Sequence, residues 1–531
     1  MTTDQPRQVD RAQAADRDSQ DAVFKLLGNP ATHGVAEVKR FDTHTAAVFL
    51  AGERALKVKR AVRFPFLDFS TLDKRKAACL AELEVNRRFA PQLYRRIVPI
   101  TREESGALAL DGGGVPVEWA VDMVRFDETM TLDHLADRGE LDDRMLRELA
   151  VAVSAMHERA EGADTTAWLN AIERFIGQNT AAFRDHRDVF PSQSVAALDR
   201  SARETLARLR PLLQARGALG LVRRGHGDLH LRNVAVLDGA PVAFDALEFD
   251  PVTASGDVLY DLAFLLMDLV ERGLTRAANI VLNGYFVAAR RSADCDGIAA
   301  LPFFMSLRAA IRANVTAARL AVVKVTDKPD TVQSARRYFD LASTLLTPAK
   351  PIAICTGGLS GTGKSVLARA LAPLLPPSPG ALVLRSDVER KMMFGVAVHD
   401  RLPAEAYRAD VTAKVYRTMQ EKAARIAHAG HSVVVDAVFA TPDERNAIEA
   451  AMTETGAAFA GLFLVVDLKT RLERVGTRGP DASDADHKVA RLQEDFPLGT
   501  MGWAVIDASG SPAATLAKAC AALALESDRA R

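Results

Sequence analysis

The chain has 531 residues, more than one ordinary hydrophobic core organises, so several domains are expected. Its 68 basic and 68 acidic residues cancel, which argues against a polyanion-coating protein, and aromatic residues are only 6%. No run of about 18 uncharged apolar residues marks a membrane span.

Cys79, Cys295, Cys355 and Cys520 lie far apart without a C-x-x-C pair, as expected of reduced thiols in a cytoplasmic protein. Residues 1–21 are polar and lack an apolar h-region, so a disordered lead-in rather than a secretory signal is expected there. Val35–Arg40, Thr45–Ala51 and Arg54–Lys59 read as short strands. Leu72–Phe89 has helical periodicity, with Leu72, Leu80, Leu83 and Phe89 on or near one face. Asp111–Gly114 is a turn between two strand-like runs, and a mixed sheet ends near Met123. Beyond Arg125 the pattern is mostly helical to about Leu346, apart from a hairpin region over Gly225–Asp250.

Pro348, Lys350 and Pro351 break that pattern and set an expected boundary, with parts 22–348 and 349–531. After it, strand-like and helix-like runs alternate through Ile352–Thr356, Val366–Leu371, Leu382–Arg385, Ala409–His428, Ser432–Asp436, Asp443–Glu454 and Leu462–Val466. Such alternation predicts a parallel sheet with helices on both faces.

The second part carries Gly358-Leu359-Ser360-Gly361-Thr362-Gly363-Lys364-Ser365, which matches G-x-x-x-x-G-K-[ST] throughout. An apolar strand leads in and a helix leads out, the context in which backbone N–H groups curl around phosphates. Gly358, Ser360, Gly361, Thr362 and Gly363 would cradle ATP, Lys364 would reach the β- and γ-phosphates, and Ser365 would ligate Mg²⁺. Asp436 ends a buried strand, suited to the Mg²⁺ shell, and Ala437 follows where a hydrolytic motor carries a water-activating Glu. Transfer to an acceptor is therefore favoured over hydrolysis. Asp387 is placed to take a proton from an acceptor hydroxyl, and Arg390 to hold an anionic part of that substrate. The competing expectation is a helix-capping Asp387 beside an exposed Arg390. Arg474 and Arg478 precede a glycine- and aspartate-rich run suited to a lid over the phosphates, whereas Arg471 reads as part of a solvated face.

In the first part, His226-Gly227-Asp228 is followed by Asn233 and, after a strand–turn–strand through Asp238-Gly239, by Asp245. Asp228 is the candidate base, with Asn233 and Asp245 as Mg²⁺ ligands. Ala55-Leu56-Lys57-Val58-Lys59 supplies a phosphate-binding lysine: Lys57 is chosen, and Lys59 shares its face. Glu82 is the expected ion-pair partner, with Glu84 second. Glu248 either assists the metal or caps a turn.

The His226-Gly227-Asp228, Asn233 and Asp245 set, with Gly256-Asp257 and Asp261 downstream, resembles aminoglycoside phosphotransferases and their choline- and homoserine-kinase relatives. That resemblance implies an α+β bilobal protein-kinase-like fold, with a small lobe to about residue 123, and implies that Asp257 and Asp261 anchor the catalytic loop. The second part, from Pro351 to Leu525, resembles P-loop kinases of the gluconate-kinase and polynucleotide-kinase-like group. Together they imply a cytoplasmic, ATP- and Mg²⁺-dependent double phosphotransferase acting on small-molecule hydroxyls. Two alternatives stand beside it: a regulatory ATP-binding protein in which only the P-loop part turns over, and a 5′-hydroxyl nucleic-acid kinase.

Overall fold

The computed structural model describes residues 20–525 apart from 65–66, 249, 322–323, 478 and 480. The chain divides into two compact units, one running through Trp168 and resuming over Val222–Asp261, the other comprising Leu169–Leu221 and the chain from Leu262 on. This division does not follow residue 348. The helix Thr275–Ala289 explains why: its Asn279 and Asn283 bond the backbone of Ala381 and Val383, an edge strand of the second sheet. Arg425 likewise pairs with Asp296 at 2.6 Å. The helices after Asp261 thus pack with the P-loop part.

The first unit is built on an antiparallel sheet. Its strands are β1 (Val38–Asp42), β2 (Ala46–Ala51), β3 (Arg54–Lys59), β6 (Tyr94–Arg102), β7 (Leu108–Leu110) and β8 (Val115–Val124), in the order β1-β2-β3-β8-β6-β7. A two-stranded ribbon, β4 (Arg63–Phe64) with β5 (Leu67–Asp68), lies between β3 and the helix Leu72–Phe89 in sequence. Side chains alternate across the sheet. Leu56 and Val58 of β3 and Ala120 of β8 pack with Val23, Phe24 and Leu27, while Val121 packs on the other face with Cys79 and Tyr94. Lys57 and Lys59 fall on that second face by the same alternation.

Val23, Phe24 and Leu27 belong to a helix over 20–28. Gln20 and Asp21 therefore depart from the expected lead-in, because Gln20 is buried and donates to Glu118 at 2.7 Å and to the Lys59 carbonyl at 2.8 Å. Residues 1–19 lie outside the described residues.

The helix Leu72–Phe89 has the expected bounds but turns a different face inward. Cys79, Glu82, Val85 and Asn86 are buried, whereas Leu80 is exposed. Pairing of Glu82 with the lysines of β3 fixes this orientation against the simple apolar stripe. The unit is completed by β9 (Val222–Arg224), β10 (Val234–Leu237), β11 (Ala240–Ala243) and β12 (Ser255–Asp257). The β10–β11 hairpin turns through Asp238 (φ 50°) and Gly239 (φ 80°), both left-handed as a tight two-residue turn requires.

The second unit holds a helical part, where Phe183, Phe190 and Phe339 pack with centroids 4.7–5.2 Å apart. Its other part is a parallel sheet of β13 (Ile352–Gly358), β14 (Leu382–Arg385), β15 (Val433–Asp436), β16 (Ala458–Val465) and β17 (Ala504–Asp507), ordered β14-β15-β13-β16-β17. Ile354, Val434, Leu462, Leu464 and Ile506 form its core with Leu367, Leu371, Ala519 and Cys520 of flanking helices. Among the described residues one stretch, Asp294–Ala321, is apolar and long enough to cross a membrane, and 67% of its most apolar window is packed inside the protein.

Candidate active sites

In the first unit the loop carrying Asp228 is held by Asp261, whose carboxylate accepts the backbone N–H groups of His226 (2.8 Å) and Gly227 (2.9 Å). Gly225 must be small, since a Cβ there would lie 2.7 Å from Asp261 Oδ2. The His157 ring nitrogen reaches the same carboxylate at 3.1 Å, and the buried His226 ring bonds the Phe244 carbonyl. Asn233 Nδ2 donates to both the Asp228 carbonyl and its Oδ2 at 3.0 Å. Candidate base and candidate metal ligand are thereby one hydrogen-bonded group.

Asp245 follows β11 in a left-handed conformation (φ 61°), a strained state for a non-glycine residue that aims its side chain out of the strand path. Its N–H donates to the Tyr94 hydroxyl at 3.1 Å. Lys57 Nζ bridges Glu82 Oε1 (2.8 Å) and Asp245 Oδ1 (2.5 Å). Lys59 bridges Glu82 Oε2 (2.5 Å) and Glu248. Lys57 is therefore the lysine that touches the candidate metal ligand, and Glu82 serves both. Glu84 points elsewhere, pairing with Arg88 at 2.9 Å. Burial alone would lower the Lys57 ammonium, but Asp245 and Glu82 outweigh it and hold it well above its ordinary value. Burial works against ionised Glu82 as well, yet Lys57 and Lys59 bring it down to about 2. These oxygens suit a hard cation. Among the described residues no group of three His, Cys, Asp or Glu side chains is arranged to hold a metal.

In the second unit, Gly361 (φ 88°) and Gly363 (φ 94°) turn the loop after β13 into the helix Lys364–Leu371. A Cβ on Gly361 would lie 2.6 Å from the Arg471 carbonyl. Lys364 Nζ donates only to the Leu359 carbonyl, at 3.1 Å, and makes no ion pair among the described residues. Burial draws its ammonium below the ordinary value. An ammonium without an ion pair among the described residues, at the start of the helix after this loop, fits a phosphate. Ser365 Oγ donates to Asp436 Oδ2 at 2.5 Å, so the two expected Mg²⁺ ligands meet. The register explains the meeting: Asp436, the last residue of β15, pairs with Thr356 of β13, the strand that leads into the phosphate loop.

A cavity of about 820 Å³ opens over this loop, lined also by Asp387, Arg390, Tyr407, Thr412, Tyr416 and Glu444. Asp387 sits within the first turn of the helix Ser386–Met393 rather than capping it, and burial raises its carboxyl above the ordinary value. Arg390 is not exposed but buried, stacked 4.9 Å over the Tyr407 ring. It donates to the Ala406 carbonyl (2.6 Å) and Thr412 Oγ1 (3.2 Å), has no hydrogen-bond partner at Nε, and makes no ion pair among the described residues.

Arg471 is the clearest departure from expectation. It is buried and bonds the Ser360 carbonyl of the phosphate loop, the Ala490 carbonyl and Glu494, because it supports the loop from behind. Arg474 lines the cavity and donates to the carbonyls of Ala508, Ser509 and Gly510. Arg478 lies outside the described residues. The segment expected as a lid is anchored by its aspartates: Asp481 by Arg385 at 2.7 Å, and Asp484 by Lys391 (3.1 Å) and the Tyr407 hydroxyl (2.6 Å). Sequence reading missed Arg385, Tyr407 and Tyr416. Arg385 alone left a trace, as the last residue of a strand predicted with correct bounds.

The two centres define an ATP-dependent phosphotransferase that joins a kinase-like part to a P-loop kinase part. A family model described as a phosphotransferase enzyme family matches residues 47–295, and one described as an AAA domain matches 354–496. The chain belongs to a family that includes uncharacterized proteins of Mycobacterium tuberculosis (strain H37Rv) and Mycobacterium bovis, each 30% identical over 458 residues, covering 85% of this chain and 88% of theirs. Among solved structures, a gluconokinase from Sinorhizobium meliloti 1021 is 21% identical, with 33% of this chain and 92% of that chain covered and a TM-score of 0.25. A choline kinase from Cryptosporidium parvum Iowa II is 13% identical, with 58% and 88% covered and a TM-score of 0.38.

Proposed function

We propose that both parts, 22–348 and 349–531, transfer the γ-phosphate of ATP, with Mg²⁺, to hydroxyl groups of small molecules. The reading rests on one observation above all: each unit holds a complete and separate set, Lys57, Asp228, Asn233 and Asp245 in one, Lys364, Ser365, Asp387 and Asp436 in the other. When bound, Mg²⁺ supplies neutralisation of phosphate charge; Asn233 with Asp245, and Ser365 with Asp436, would hold it. Asp228 and Asp387 take the acceptor proton, while Lys57 and Lys364 orient the phosphates. Burial raises the Asp387 carboxyl above its ordinary value, which strengthens it as a base once ionised.

Arg390 narrows the second acceptor. A buried guanidinium without a carboxylate partner favours a substrate carrying an anionic group beside its hydroxyl. The four cysteines are free and buried, which fits the reducing cytoplasm. A screen of metabolite extracts with γ-labelled ATP tests the proposal. Asp228→Ala should erase one set of labelled products and Lys364→Ala a different set. A single set, lost only in Lys364→Ala, would refute double transfer.

A further inference from the structure

Arg385 has no part in the reading above, yet it sits at the centre of the second site. It is the last residue of β14 and the register partner of Asp436, so neighbouring parallel strands bring the two side chains together. Its Nε donates to Asp436 Oδ2 at 3.2 Å, and its Nη2 to Ser365 Oγ at 3.1 Å. The other side of the fork holds Asp481, at 2.7 Å from Nη2 and 3.4 Å from Nη1. Arg369 backs the same aspartate at 3.7 Å. The Arg385 side chain is 12% exposed.

The contacts on Asp436 fall on a single atom. Oδ2 accepts from Ser365 Oγ and from Arg385 Nε together, which fills the lone pairs of that oxygen, so a cation seated on it displaces one of the two donors. A carboxylate this enclosed would be costly to leave without a counter-charge, and the donors of a planar fork are spread widely enough to reach Asp436, Ser365 and Asp481 at once. We propose that Arg385 is a positioning residue that competes with a divalent cation for Asp436, as a stand-in for its charge, and ties Asp481 to that place. Cation binding then competes with an internal guanidinium, and Asp436 is exchanged from one to the other. Through the same guanidinium the segment around Asp481 is linked to the metal ligands.

This rests on Ser365 and Asp436 being the cation ligands, and the test separates the two claims. Mn²⁺ alone is titrated calorimetrically into the full chain without nucleotide, in an Asp245→Asn background that silences the first centre. Arg385→Gln should raise Mn²⁺ affinity about tenfold, the worth of one charge-assisted hydrogen bond. Arg385→Lys should raise it by a similar factor, since lysine keeps the charge but loses the fork. Asp436→Asn should abolish binding. If Arg385→Lys behaves as the parent, or Arg385→Gln binds Mn²⁺ no better, while Asp436→Asn still abolishes binding, the stand-in role is wrong and the ligand assignment survives. Mn²⁺ binding that persists in Asp436→Asn would overturn both. Should Arg385→Gln fail to fold, the charge-retaining Arg385→Lys carries the comparison.

Discussion

The two candidate centres of this chain arrange their basic residues differently. In the first, both lysines are committed internally, Lys57 to Glu82 and Asp245, Lys59 to Glu82 and Glu248. In the second, Lys364 and Arg390 face the cavity with no ion pair among the described residues. The first centre is held together by its own ion pairs and presents net negative charge to an incoming cation. The second also has internal ion pairs, Arg385 with Asp436 and Asp481, but leaves Lys364 and Arg390 for anions. Removing Glu82 from the first should therefore cost structure, and removing Lys364 from the second should cost ligand.

The largest effect should come where the chemistry is most direct. Asp228→Ala is expected to lower transfer by the first centre by roughly 10²–10⁴, the range for a lost general base, with the products of the second centre unchanged. An unaltered rate of labelled-product formation would exclude Asp228 as the base. Glu82→Gln tests the structural half of the contrast. It leaves Lys57 and Lys59 without their shared, fully buried partner and should cost about 3–5 kcal/mol, read from urea unfolding followed by hydrogen exchange in the first unit. Because the folded pKa of Glu82 is depressed, its contribution is complete above the ordinary value of 4.5 and is lost as pH falls toward about 2.

Lys364→Ala tests the other half. Turnover by the second centre should fall about 10²–10³, as for one lost phosphate-stabilising donor, with no loss of stability because no ion pair is broken. Destabilisation matching that of Glu82→Gln would erase the distinction between the centres. The smallest effect is a displacement of a pH profile. Burial raises the Asp387 carboxyl, so it ionises above its ordinary 3.8, and kcat/KM of the second centre should climb with pH through that higher value. Asp387→Asn should remove the acidic limb along with most of the rate.

Much of this was legible in sequence because it is local. The phosphate loop, the Asp238-Gly239 hairpin and the helix Leu72–Phe89 are each specified by neighbours a few residues away. Strand alternation also placed Lys57 and Lys59 on one face, but only the third dimension showed which of them meets Asp245. What was not legible depends on pairings distant in sequence. Leu80 looked like a core residue, yet the bond from Lys57 to Glu82 turned the helix and left Leu80 in solvent. Arg471 looked like a surface charge, and its fit behind Ser360 joins positions 111 residues apart. Gln20 looked like leader sequence because its partner, Glu118, is 98 residues away. Periodicity carries no information about such contacts. The compact units were hidden for the same reason: the proline break near residue 348 is a feature of the chain, whereas Asn279 and Asn283 bonding the edge of β14 is a feature of packing.

Two independent nucleotide centres are the central claim, and nucleotide stoichiometry tests it most directly. A non-hydrolysable ATP analogue with Mg²⁺, titrated calorimetrically into the full chain, should bind at two equivalents. Lys364→Ala and Asp245→Asn should each reduce this to one, and the double variant to none. One equivalent in the parent protein, abolished by Lys364→Ala alone, would contradict the account.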